Sequence, residues 1–238
     1  MHYHTPLLFT LLLSPLARAH GRIDLITGNA GGNGTALGIT GGIVPLTGRN
    51  SLTEVDTTVF RKTRIATDGL GRTTGRGPNK ATDLTAAMAQ AGPTLPQVSP
   101  SNGSISGTFH IITTDGAGPI SAVIDTTATG AFAQGIHAHV VMNVPGKNGN
   151  MRPNGTLPRA LHALGLAKRA ANVNLDFPFQ VLVPGRTKCG GNVAGQEKVC
   201  FMKIANSNKA GPFGGVVAFQ MVDGDGVRDA SVVKTFSA

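Results

Sequence analysis

Short apolar runs recur along the chain, each closed by glycine, proline, asparagine or aspartate, and this punctuation predicts many short strands. The clearest run, residues 104–114, alternates until the turn Asp115-Gly116-Ala117-Gly118-Pro119, and a second run follows at 120–125. The two are expected to form a hairpin or a sheet corner. Further strands are predicted at 136–144, 177–183, 199–205 and 216–222, and shorter ones at 23–26 and 36–39 on either side of a flexible 28–34 loop. Residues 49–82 are polar and basic and read as long loops. Asp83 followed by good helix formers and then Gly92-Pro93 predicts a short helix over 83–91, with Met88 as a core residue. A second helix is expected at 159–171, where Leu161, Leu164 and Ala167 oppose Arg159, Lys168 and Arg169. The pattern as a whole predicts an all-β domain, a two-sheet β-sandwich with long loops and one or two short helices.

The N-terminus changes the setting of that domain. An apolar run over residues 7–16, broken by Thr10, Ser14 and Pro15, leads to a small-x-small site at Ala17 and Ala19. This is the form of a secretory signal peptide, so residues 1–19 are expected to be removed and 20–238 to form one secreted, extracellular domain. No later run approaches the roughly 18 apolar residues that span a bilayer. Cys189 and Cys200 are then expected to form a disulfide, because secreted thiols meet an oxidising compartment and a lone pair at this spacing matches no zinc pattern. Asn33, Asn102 and Asn154 each open a glycosylation sequon in a glycine-containing stretch. The net charge of +9, or +8 without Arg18, favours anionic partners such as acidic glycans. The basic residues are scattered and not interleaved with aromatics, which argues against nucleic acid.

Candidate chemistry starts at the same junction. Cleavage after Ala19 makes His20 an N-terminal histidine, whose amine and ring Nδ1 can chelate one metal ion, and nitrogen donors of this kind suit copper. His110, on the predicted 104–114 strand, is the candidate third nitrogen of such a histidine brace. His137 and His139, one residue apart on a strand, share a face and form a second candidate pair lacking an identifiable third ligand. His162 reads as an exposed helix residue. No Gly-x-Ser-x-Gly elbow, His-Glu-x-x-His or phosphate-cradling loop is present, and the aspartates stand mostly at strand ends, where they serve turns.

A family resemblance rests on His20-Gly21, Phe109-His110 running into 115–119, Val144-Pro145-Gly146, Asp176-Phe177-Pro178, the 189–200 segment, Asn206, and Ala210-Gly211-Pro212-Phe213-Gly214-Gly215-Val216-Val217. Across nearly all of residues 20–238 the chain resembles the fungal Egh-like virulence factors, secreted proteins associated with the appressorium. The resemblance implies a role at the host interface during penetration, with host-surface or cell-wall polysaccharide as partner. It also implies cysteines near Ala122, Ile204 and Gly71 that this chain lacks. With His20 and His110 the chain is similar, too, to histidine-brace copper polysaccharide monooxygenases. That likeness implies attack on a glycosidic C–H bond by copper-activated oxygen or peroxide. It places Phe219, or secondly Phe213, at the axial position, and Gln220 as a hydrogen-bonding neighbour. Tryptophan is absent and the one tyrosine is Tyr3, so crystalline cellulose is a poor match. Three readings therefore stay open: a copper-dependent oxidase, a copper carrier without turnover, and a basic protein that adheres to anionic wall or cuticle glycans.

Overall fold

A computed structural model describes residues 20–41, 54–152, 154 and 171–222. The expected signal peptide, and the helix expected at 159–171 apart from Ala171, lie outside these residues. Seven long strands carry the fold: β1 (Gly21–Gly28), β7 (Ser104–Thr113), β8 (Ile120–Asp125), β9 (Ile136–Met142), β10 (Asn172–Leu182), β12 (Gln196–Asn206) and β13 (Phe213–Met221). Six short ones decorate them: β2 (Gly31–Gly34), β3 (Thr58–Val59), β4 (Arg72–Thr73), β5 (Gly77–Pro78), β6 (Gln97–Val98) and β11 (Gly191–Val193). Among the described residues there is one α-helix, α1, at Leu84–Ala91.

The fold is all-β, as expected, but its hydrogen bonding does not separate into two sheets. The order β12-β8-β9-β10-β7-β1-β13 closes on itself through the β12–β13 pairing, giving a seven-stranded barrel. Closure depends on β13 pairing on both sides, antiparallel to β12 and parallel to β1 at Arg22↔Gly214. Closing a sheet removes its two open edges, whose unpaired amides and carbonyls would otherwise need cover. For the same reason β7 and β8 do not form a hairpin: β10 and β9 stand between them. A second correction concerns residues 28–39. The glycine stretch 31–34 forms β2 against β1, while Ala36, Leu37 and Ile39 are buried outside any strand.

Strand alternation explains two separate cores. Inward residues, among them Ile23, Ile26, Phe109, Ile111, Phe179, Met202, Ile204, Val217 and Phe219, fill the barrel. Phe201, Val199, Val216 and Ala218 point outward and are covered by Leu37, Phe60, Leu84, Leu95 and Phe132. Because β12 is buried on both faces, its sequence is nearly continuous apolar rather than alternating. Ala122 and Ile204, near which the family resemblance implies cysteines, are direct cross-strand partners buried in the apolar core. The expected disulfide is present between Cys189 and Cys200, with Cα atoms 4.9 Å apart. Helix α1 ends at Gly92 as expected, but Asp83 does not cap it; its carboxylate accepts from Lys80 N and pairs with Arg76.

The outer core holds one charge that sequence reading does not single out. Lys203, 3% exposed on β12, lies over the Phe60 and Phe132 rings at 4.9 and 4.3 Å, and its Nζ donates to the Thr67 carbonyl. Burial pulls this ammonium down to about 8, with Asp68 opposing the shift. The folded value lies below the unfolded one of about 10.4, so the unfolded chain holds more protons between those limits and stability rises with pH across that window. Denaturant titrations should therefore show a gain between about pH 8 and 10, of at most about 1.4 kcal/mol per pH unit, that Lys203→Met removes. An unchanged profile in the variant would refute this assignment.

Candidate functional site

His20 sits where β1 begins, and its backbone is clamped by β7. The carbonyl oxygen of His20 accepts from both Ile112 N (3.0 Å) and Thr113 N (3.2 Å), so two residues of β7 oppose one of β1 in the manner of a β-bulge. His20 N donates to Thr113 Oγ1 at 2.8 Å, and that hydroxyl donates to Asp115 Oδ1 at 2.9 Å. The turn after β7 then folds over the junction: a Cβ at Gly116 would overlap the His20 carbonyl, and one at Gly21 would meet Gly116 O and the Phe109 ring. Glycine is required at both places by this approach of backbone to backbone.

Other stretches that carry the family resemblance hold that turn. Asn206 Nδ2 donates to Ala117 O at 2.7 Å while its Oδ1 accepts from Phe213 N at 2.9 Å. Asn208 Nδ2 donates to Asp115 O at 2.7 Å and to Gly149 O at 3.1 Å. Gly118 N donates to Pro145 O at 2.9 Å. Phe213 completes the enclosure, its ring centroid 5.6 Å from that of His20, leaving His20 2% exposed. Asn206, Pro145 and Phe213, distant in sequence, thus meet at His20 or at the turn that covers it.

Charged groups gather on both sides of this clamp. His20 Nδ1 lies 2.7 Å from Glu54 Oε1, off the angle of a hydrogen bond. Burial raises the Asp115 carboxyl, against the opposing pull of the Thr113 hydroxyl, its own backbone and the His20 charge. His110 sits opposite Arg22 on β1 and Asp176 on β10, so all three point to the outer face. Its Nδ1 is 2.5 Å from Asp176 Oδ1, a carboxylate that is 64% exposed, while its Nε2 is buried without a hydrogen bond. Asp24, His110 and Asp176 bring ligand atoms within 4.8 Å of one another, the one such group of three among the described residues. Arg22 Nε stands 2.5 Å from Asp24 and ties that carboxylate into the row.

The remaining candidates are placed as follows. His20 immediately precedes β1, two residues before Arg22, the β1 partner of His110. Phe213, not Phe219, meets His20; Phe219 is a core residue paired with Cys200, roughly 20 Å further along β13 at 3.3 Å per residue. Gln220 lies beyond it, bonded to Gln97 Nε2 at 2.7 Å and to Glu197 O. His137 and His139 are both exposed on β9. Asn33, Asn102 and Asn154 are all exposed, and His162 is outside the described residues. Glu54 and Asp176 escape sequence reading because only tertiary packing brings them to the histidines. No helix of the described residues is long and apolar enough to cross a membrane.

Comparison with known proteins gives one consistent result. The profile of the Egh16-like virulence factors matches residues 18–214. The chain is 37% identical over 213 residues to appressoria-specific virulence factor GAS1 of Pyricularia oryzae, covering 89% of this chain and 76% of that protein. It is 33% identical over 160 residues to appressoria-specific virulence factor GAS2 of the same fungus, covering 67% of this chain and 49% of that one. No solved structure matches.

The clamp makes a direct prediction. Gly116→Ala should cost on the order of 3 kcal/mol, a melting-point drop of about 6–12 °C, because the added methyl must displace the His20 backbone. Gly195→Ala, whose added Cβ meets nothing within 4 Å, should cost less despite its positive φ. Equal melting points for the two variants would contradict the clamp.

Proposed function

Because the chain belongs to the Egh16-like virulence factor family, we propose that this virulence-associated fungal protein is secreted from the infection structure, acts at the host surface, and carries copper on His20 and His110. The observation that carries the metal reading is which nitrogens are left over. His20 Nδ1 and His110 Nε2 are both buried and both lack a hydrogen bond, whereas His110 Nδ1 is held by a carboxylate. His110 Nε2, buried without a hydrogen bond, is costly to leave so, His20 Nδ1 has only the misaligned Glu54 carboxylate 2.7 Å away, and a carboxylate on the opposite nitrogen is the usual way of orienting a metal-binding histidine. These are the ring atoms a brace needs, and cleavage before His20 would add the amine.

Copper bound there would supply one-electron chemistry towards oxygen or peroxide. The residues of the chain supply the rest: Asp176 fixes the His110 tautomer, Glu54 faces the His20 ring, and Phe213 closes its other side. Protein secreted from a fungal host should begin at His20 by mass and give an axial, nitrogen-rich Cu(II) spin resonance signal. An alanine inserted before His20, or His110→Ala, should weaken copper binding at least about tenfold. Equal binding by native and extended protein would overturn the copper reading. Release of oxidised sugars by the copper-loaded native form would extend it to an oxidase; their absence restricts it to carriage.

A second reading has its own observation. Arg61, Lys62, Arg64, Arg72, Arg76 and Lys80 are all exposed within one stretch of the chain, which favours adhesion to anionic wall or cuticle glycans. Retention on an acidic polysaccharide should then collapse between about 0.05 and 0.5 M salt, since exposed charges are screened over about 10 Å at 0.1 M. Retention that ignores salt would exclude it.

A further inference from the structure

The clamp at residue 20 has a property that metal binding does not account for: the nitrogen it encloses is the atom that cleavage before His20 would convert from an amide into an ammonium. We infer that Thr113 and Asp115 form a binding site for the chain's own liberated amino terminus, so that processing at Ala19–His20 locks the barrel. Hydrolysis adds one water across that peptide bond, leaving a carboxylate on Ala19 and an α-ammonium on His20. The inference rests on the cleavage position in the reading above and not on copper.

Three features of the site support it. First, the donor path exists: His20 N donates to Thr113 Oγ1, and Thr113 Oγ1 donates onward to Asp115 Oδ1. The two bonds end to end put the carboxylate no further than about 5.7 Å from the nitrogen, close enough for a formal charge to be felt in a partly buried site. Second, the nitrogen cannot swing away. The neighbouring carbonyl is shared by Ile112 N and Thr113 N and covered by Gly116, while the ring is enclosed by Phe213 and Glu54. Third, the surroundings favour a cation: the charged groups shown to face residue 20 are the Glu54 carboxylate, against its ring, and the Asp115 carboxylate, reached through Thr113.

An extended chain retains the amide N–H and its bond to Thr113 but carries its ammonium outside the clamp. Comparison of the two forms therefore isolates the charge. The test is thermal melting at pH 6.5 in chelator of the secreted form beginning at His20 and of the form with one alanine before it, each also made as Asp115→Asn. The native terminus should raise the melting point by about 3–8 °C over the extended form, the scale of one charged hydrogen bond in a domain of this size. Asp115→Asn should remove most of that difference, and Asp115→Ser serves the same comparison if the asparagine variant does not fold. Native and extended forms that melt within about 1 °C of each other, or a difference that survives loss of the carboxylate, would overturn the inference. Copper is absent throughout, so failure here leaves the copper reading intact, and loss of the copper reading leaves this one intact.

Discussion

The carbonyl oxygen of His20 is the point on which the rest of the structure depends. Two successive amides of β7 converge on it, and the Gly116 backbone lies so close above it that no side chain fits between. From that contact outward each layer restrains the next: Asn208 and Asn206 hold the 115–117 turn, Asn206 in turn fixes the start of β13, and β13 closes the barrel through β1 and β12. Backbone groups and amide side chains of this kind must be paired when buried, so the network has few alternatives once one member is set.

This view gives a physical meaning to the motif segments. Asn206, Phe213, the 115–119 turn and Pro145 look unrelated along the chain, yet each contacts the enclosure of residue 20 or the turn that covers it. A barrel could be closed by many sequences. An enclosure that grips the residue before β1 by its backbone, and sets a carboxylate 2.7 Å from its ring Nδ1, is a more specialised construction, and it is here that functional interest concentrates.

The long strands were legible because turn residues bracket each apolar run, and the bounds of 120–125 were read to the residue. Barrel closure was not, because it rests on pairings such as Arg22↔Gly214 between the two ends of the described chain, which no local pattern encodes. The same limit separates Phe213 from Phe219. The two have the same strand parity on β13, but parity does not specify a position along the strand, and it is Phe213 that meets His20. That His110 lies on a strand was legible from the alternating pattern of 104–114. The carboxylate neighbours of His20 and His110 were not legible, since Glu54 and Asp176 arrive from a loop and from another strand. Lys203 was hidden for a similar reason: only the overlying Phe60 and Phe132 reveal that its face of β12 is covered.

The central claim is that residue 20 is held as rigidly as the barrel core, and amide hydrogen exchange measures that most directly. The amides of Ile112 and Thr113, bonded to the His20 carbonyl, should exchange only through global unfolding, with the same denaturant dependence as Met202 and Val217 in the barrel wall. Exchange of Ile112 and Thr113 through a low-energy local opening, while Met202 and Val217 stay protected, would show that the start of β1 frays and would contradict the account.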